Sequence, residues 1–556
     1  MPRVFRGQCA GAVIATAAGA FLFSANAAAF AQPPRATEGA TGGATKRAAP
    51  TAPALIVFIT VDQMRADYLQ RFASQYTGAF ARFNRGAAEF TNAYQDHAIT
   101  ETAPGHSVTM SGRFPAHTGI VMNSRGVPDP QAPLIGGGGA GASPFRFRGS
   151  VLTDWLRMKD PRTRALSVSR KDRGAILPMG RAKQSVFWYA NDGRFTTSTY
   201  YADTLPSWVQ AFNARKIPQR YTGKAWSLLL PADAYTEPDT VAQENGGKDT
   251  AFPHAFPSDT ARAVRDFINY PMMDSLIAQL ALDGVSALNL GRGPQTDVLA
   301  VSFSTTDAVG HAFGPDSREI HDQLLRLDRY MGAFIDSLYK LRDSSMIVFA
   351  LTADHGVQPN PELRAQREHV PARRADVNGT IRAARAALAG AGADSGALRF
   401  EEGIVVLDRR ALAGTSIKPD SVLASLAAAL RKLDGVGRVD YVTAIAKSDT
   451  THDTVARRWA HMLPADFPAD LVISLAPYAY LKGGTGTTGA THGTPNDLDA
   501  HVPVLFYGPW FTPGKYPQHA LVADMAPTLA AVADVKPTEK LDGRARTEAI
   551  RAPRRP

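Results

Sequence analysis

Six residues, Asp62, Asp307, His311, Asp354, His355 and His492, stand in settings that favour metal ligation. Asp62 follows Ile-Thr-Val, Asp307 follows Val-Ser-Phe-Ser-Thr-Thr and Asp354 follows Ala-Leu-Thr-Ala, so each aspartate ends an apolar run. A single aspartate after a strand is more often a helix cap or turn residue. Three that end strands of one open α/β sheet meet in the crevice at its carboxyl edge. Asp307 and His311 are four residues apart, which puts both on one face of a helix or tight turn, and the Gly-His-Ala-Phe-Gly-Pro context predicts a loop there. Asp354 and His355 are adjacent, and His492 sits in Gly489-Ala-Thr-His-Gly-Thr-Pro with no apolar face to bury it. Three carboxylates and three imidazoles exceed the needs of one tetrahedral ion and suit two. A donor set without sulfur favours Zn²⁺, with Mn²⁺ and Co²⁺ as alternatives. Two such ions roughly 4 Å apart can stabilise the attacking and leaving oxygens of an in-line displacement at phosphorus.

That chemistry needs a nucleophile, and Thr102 in Glu101-Thr-Ala-Pro-Gly-His offers a hydroxyl just before Pro104. Proline favours the first helical turn, and a helix starting there would aim its positive end at the Thr102 oxygen. The alternative is that Thr102 is only a helix cap. Lys171 and Arg173 alternate along a segment read as extended, followed by the apolar Gly-Ala-Ile-Leu-Pro, and could supply cationic donors to an anion. Read alone, Lys171-Asp-Arg173 is more often a solvated surface turn.

Strands and helices must hold these residues together. The runs Ala54–Val61, Asp297–Phe303, Met346–Leu351, Leu471–Leu475 and Val502–Tyr507 are apolar without alternation, as in strands buried on both faces of a parallel sheet. Between them, Ile320, Leu324, Leu327, Met331, Phe334 and Leu338 keep helical spacing within Ser317–Lys340. The pattern predicts an α/β fold with a largely parallel central sheet, helices on both faces and inserted α+β subdomains. The expected organisation is a signal peptide over 1–31, a flexible leader over 32–53 and one catalytic domain over 54–550. Insertions are expected at about 202–283 and 358–447, the second with an Ala-rich helix near Ser421–Leu433. Gly136–Gly141 matches no phosphate-binding fingerprint and reads as a surface loop.

A chain of 556 residues with 44% hydrophobic and 20% charged residues can bury a large core, which excludes a disordered or fibrous protein. Its formal charge of +10 becomes +8 without Arg3 and Arg6, and modestly favours anionic substrates. The basic residues are scattered, without aromatic interleaving or a helix-turn-helix, so no nucleic acid is expected as a dedicated partner. An apolar run from about Ala10 to Phe23 and then Ala29-Phe-Ala reads as a secretory signal, too short for a stable membrane span. The only cysteine, Cys9, lies inside it, leaving metal ligation to His, Asp and Glu. The expected location is periplasmic or secreted.

The combined pattern of Val-Asp62-Gln-Met-Arg, Thr102-Ala-Pro-Gly-His, Gly-Ile-Val-Met-Asn123, Lys171-Asp-Arg173-Gly, Asp307 to His311, Asp354-His355-Gly and Thr-His492-Gly-Thr-Pro resembles the PafA-like alkaline phosphatases. These are exported bacterial monoesterases of the alkaline phosphatase superfamily, and the match runs in order over almost all of the chain. The resemblance implies two zinc ions per chain. One would be held by Asp307, His311 and His492, the other by Asp62, Asp354, His355 and the Thr102 oxygen. It implies too that Asn123, Lys171 and Arg173 contact the phosphoryl oxygens not bound to metal, that Thr102 forms a phosphoenzyme, and that small phosphate monoesters yield inorganic phosphate.

A phosphodiesterase or nucleotide pyrophosphatase on the same scaffold is the nearest rival, although a diester has one fewer charged oxygen for the cationic pair. A sulfatase would require Cys or Ser in a C/S-x-P-x-R motif, whereas Thr102-Ala-Pro-Gly ends in His106. A periplasmic metal- or phosphate-binding protein without turnover is the rival of another class, and it has no need of a hydroxyl at the metal.

Overall fold

A computed structural model describes residues 52–137, 139–483 and 489–551. The expected signal peptide and nearly all of the leader lie outside the described residues. The centre is a nine-stranded sheet whose strands, in chain order, are β1 (Leu55–Val61), β2 (Ala88–Phe90), β3 (Ala165–Ser169), β4 (Ser185–Tyr189), β5 (Phe195–Thr196), β6 (Asp297–Phe303), β7 (Ile347–Thr352), β8 (Val504–Tyr507) and β9 (Gly514–Tyr516). Their spatial order is β9-β2-β8-β7-β1-β6-β3-β4-β5. β1 lies between β6 and β7 and parallel to both, β3 extends the parallel run beyond β6, and β4 pairs parallel with β3. Antiparallel pairs enter through β5 on β4 and β8 on β7.

Every residue of β1, β6 and β7 is buried, as continuous apolar runs in a covered parallel sheet require. Five helices matter for the site: α1 (Thr102–Thr109), α2 (Asp172–Ile176), α3 (Met272–Ala287), α4 (Thr305–Phe313) and α5 (Arg318–Leu341). The helical spacing read over Ser317–Lys340 appears as α5, capped by the Ser317 side chain accepting from the Ile320 N–H. α5 packs on α3 and α4, and its apolar stripe buries Ile320, Leu324, Leu327, Met331, Phe334 and Leu338. Among the described residues no helix is long and apolar enough to cross a membrane.

Leu471–Leu475 does not join the central sheet. It pairs antiparallel with Ile404–Leu407 and Val436–Tyr441 in a separate four-stranded sheet with Leu398–Glu401. Periodicity cannot separate these cases, because a short strand under a helix is as apolar as a parallel one. Here the cover is the Ala-rich helix, which runs Pro419–Leu430 and buries Leu423, Leu426 and Leu430 against Val405, Val439 and Ile473. A further apolar cluster joins this small sheet to the chain entering α1, through Ile99, Val121 and Met122 packed with Ile404, Trp459 and Val472. Asp96, buried just upstream, adds ion pairs to Arg457 at 2.8 Å and Arg458 at 3.3 Å.

One close approach fixes α1 to the sheet. A Cβ on Gly105 would stand 2.1 Å from the Asp354 carbonyl oxygen, so only glycine lets the first turn of α1 touch the end of β7. Gly105→Ala should force these segments apart and destabilise the fold by about 1–3 kcal/mol, the usual cost of overpacking. A urea midpoint equal to that of the parent protein would contradict the contact.

Candidate active site

The carboxyl ends of β1, β6, β7 and β3 deliver the predicted residues to one place. Asp62 follows β1 directly, and its N–H donates to the Phe303 carbonyl at the end of β6. Asp354 lies two residues beyond β7, and Lys171 two beyond β3. Thr102 is the first residue of α1, with Glu101 in the cap position. The loop expected around Asp307 and His311 is instead the helix α4, where the four-residue spacing stacks both on one face. Lys171 and Arg173 do not alternate along an extended strand: Lys171 is the residue before α2, and Arg173 lies in the first turn.

Lys171 Nζ stands at the focus, 2.7 Å from Asp62 Oδ2, 2.7 Å from Asp307 Oδ2 and 3.1 Å from Thr102 Oγ1. His311 Nε2 is 3.2 Å and His492 Nε2 3.6 Å from Asp307 Oδ1, and the two nitrogens are 3.2 Å apart. His355 Nε2 lies 3.6 Å from Asp62 Oδ1 and 3.7 Å from Asp354 Oδ2, with its ring stacked 3.6 Å from that of His492. Two groups thus have ligand atoms within 4.8 Å of one another: Asp307, His311 and His492, and Asp62, Asp307 and His355.

These side chains fit metal ions for two structural reasons. Each imidazole places Nδ1 on a backbone carbonyl, His311 on Ala490 at 3.0 Å, His492 on Thr100 at 2.8 Å and His355 on Gly356 at 2.9 Å. In the neutral ring, that bond puts the proton on Nδ1 and the lone pair of Nε2 toward the carboxylates, the usual support of a metal-ligating histidine. In addition, Asp62 Oδ1 and His355 Nε2, 3.6 Å apart, are buried without a hydrogen bond. Buried polar atoms are rarely left so, and bound cations satisfy them.

The electrostatics follow from burial against charge. Burial and then the Asp354 charge raise the Asp62 pKa, although Lys171 opposes them. Burial acts the same way on Asp307, but Lys171 and His311 outweigh it and hold that carboxyl well below its usual range. Asp354 is also lowered against burial, chiefly by His106. Burial and the neighbouring His492 depress His355 strongly. His492 is pushed up to about 9, because the bond to Asp307 overcomes its burial.

Three further residues organise the site. Gln63, at a φ of 63°, donates its N–H to Asp354 Oδ1 at 3.1 Å and its Nε2 to Asp307 Oδ1 at 3.0 Å. His106 Nδ1 lies 2.9 Å from the Thr102 carbonyl and 3.1 Å from Asp354 Oδ2, and Nε2 3.0 Å from Ser302 Oγ. Glu101 accepts the Asn123 N–H at 2.7 Å, while Asn123 Oδ1 accepts the Ala103 N–H at 2.9 Å, leaving Nδ2 as the donor end of that amide. The four-residue spacing from Thr102 to His106 was a usable signal for one of them; nothing in the sequence distinguishes Gln63 or Glu101. Arg173 stays at the rim, 27% exposed beside Asp172 at 3.5 Å, and its charge acts on Glu101. A cavity of about 940 Å³ bordered by Arg170, Trp226, Tyr270 and Phe313 opens against Asp307 and His311.

The chain is similar to known proteins in sequence and in fold. Residues 56–494 match the model of the type I phosphodiesterase / nucleotide pyrophosphatase family. The chain is 31% identical over 533 residues to the alkaline phosphatase PhoV of Synechococcus elongatus, covering 90% of this chain and 93% of that one. It is 31% identical over 547 residues to the alkaline phosphatase PafA of Elizabethkingia meningoseptica, covering 91% and 96%. A crystal structure of wild-type PafA superposes with a TM-score of 0.83 at 28% identity, over 90% of this chain and 99% of that one. The chain belongs to the type I phosphodiesterase / nucleotide pyrophosphatase family and, within the alkaline phosphatase superfamily, is a PafA-like alkaline phosphatase, a phosphoric monoester hydrolase.

Proposed function

We propose that the chain is an exported, periplasmic or secreted enzyme that hydrolyses small phosphate monoesters through a Thr102 phosphoenzyme at a site for two zinc ions. The observation that carries this reading is the position of Lys171 Nζ, in contact with a hydroxyl at a helix start and with aspartates that follow two neighbouring strands. Asp307, His311 and His492 would hold one ion, and Asp62, Asp354, His355 and the Thr102 oxygen the other. When bound, the two ions supply Lewis-acid stabilisation of the entering and departing oxygens. In the same reading, 202–283 and 358–447 are insertions that shape access to the site.

The chain's own groups do the rest. Thr102 Oγ1 lies at the positive end of α1 and beside the Lys171 ammonium, two influences that favour its anionic form. It attacks phosphorus as the bond to the ester oxygen breaks and the alcohol departs; attack of water then releases inorganic phosphate and restores the Thr102 hydroxyl. Lys171, Arg173 and the Nδ2 end of Asn123 face the remaining phosphoryl oxygens, with Asn123 locked by Glu101 and the Ala103 N–H. His106 and Gln63 keep Asp354 and Asp307 from turning away.

Thr102→Ala should lose nearly all turnover while Thr102→Ser retains a substantial part, and labelled phosphate should be trapped on residue 102. Label recovered on any other residue would refute the assignment. Elemental analysis should find about two zinc ions per active chain, and His492→Ala should lose metal and rate together; full activity with one metal or none would end the two-ion reading.

The cationic pair separates monoester from diester. Each charge-assisted hydrogen bond is worth about 1.5–3 kcal/mol, and each ~1.4 kcal/mol is tenfold in rate. Arg173→Ala should therefore lower kcat/KM for an aryl phosphate monoester by about ten- to a hundredfold, with a smaller loss for the matched diester at equal metal content. Equal losses would favour a phosphodiesterase.

A further inference from the structure

The two segments that present the phosphoryl-facing side chains continue to one basic depression outside the metal site. The turn that begins at Asn123 ends at Arg125, and the segment carrying Lys171 and Arg173 passes through α2 and Leu177–Met179 to Arg181. Both ends border a depression of about 630 Å³ together with Arg146, Arg148, Phe145 and Phe467. Four arginines line it and no carboxylate does. Among the described residues only Arg148 of the four has a carboxylate within 4 Å, Asp466 at 2.7 Å. Arg146 lies 4.0 Å over the Phe145 ring and donates to the Pro128 carbonyl at 2.7 Å, and Arg125 lies 5.2 Å over the Phe467 ring.

Aromatic rings under guanidinium groups limit their freedom without neutralising them. Burial and the like charge of Arg125 lower the Arg146 pKa against the pull of Asp129, so the cations here repel one another. A concave wall with one sign of charge concentrates the field on an anion, and the guanidinium fork matches phosphate. Two residues of extended chain reach at most about 7 Å, so Arg125 begins close to Asn123. A phosphate held here would be a second one, carried elsewhere on the carbon skeleton of the same substrate.

We propose that this depression is a subsite for a second phosphoryl group, so that the preferred substrates are small monoesters bearing phosphates at two or more separated positions. The proposal rests on the monoesterase reading above. The test compares fructose 1,6-bisphosphate with fructose 6-phosphate, using the parent enzyme, the Arg125→Ala/Arg146→Ala double variant and Arg146→Lys. The parent should show kcat/KM at least about tenfold higher for the bisphosphate, an advantage that shrinks as salt rises from about 0.05 to 0.5 M. The double variant should lose that advantage while its kcat/KM for the monophosphate stays within about twofold, and Arg146→Lys should keep part of it. Unchanged monophosphate turnover shows that the double variant is folded. Equal kcat/KM for the two esters in the parent, or an advantage that survives in the double variant, overturns the subsite. Failure to hydrolyse either ester would instead refute the monoesterase reading.

Discussion

Asp62, Asp307 and Asp354 are buried within reach of one another because β1, β6 and β7 are adjacent parallel strands whose ends face the same way. Three carboxylates in so small a volume repel each other and have lost most of their water, so the arrangement depends on positive charge. Lys171 provides some of it, bridging Asp62 and Asp307, yet Asp62 Oδ1 still lacks a hydrogen bond. The remaining demand is one that bound cations could meet, and three histidines whose protons are directed onto carbonyls turn their lone pairs toward the same space. Much of the surrounding structure serves to hold this concentration of charge in place.

The elements around it act as braces. The contact of Gly105 with the Asp354 backbone brings the start of α1 to the strand ends, so a helix terminus and a hydroxyl meet the carboxylates. Gln63 spans Asp354 and Asp307, and accepts an unfavourable backbone conformation to do so. The small sheet presses on the segments entering Thr102 and Asn123 through Ile99, Val121 and Met122, which ties that sheet to the geometry around Thr102. The cavity beside Asp307 and the basic depression beyond Asn123 differ in character, the first aromatic and of mixed charge, the second cationic.

Residue order alone marks the strands that lead to aspartates and the long amphipathic helix, because burial on both faces and helical periodicity leave direct traces in it, and it marks the carboxylates and imidazoles that gather beyond those strands. His106 was legible in spacing but not in role. The remainder depends on pairing between distant segments. Leu471–Leu475 could have joined either sheet, since its apolar run is the same in both, and the helix Pro419–Leu430 above it settled the matter. Asp307 and His311 lie on a helix despite their glycine-rich surroundings, since packing against α5 overrides a weak local preference. Gln63, Glu101 and the four arginines beyond Asn123 carry no local signal at all, because their roles arise from partners tens to hundreds of residues away in the chain.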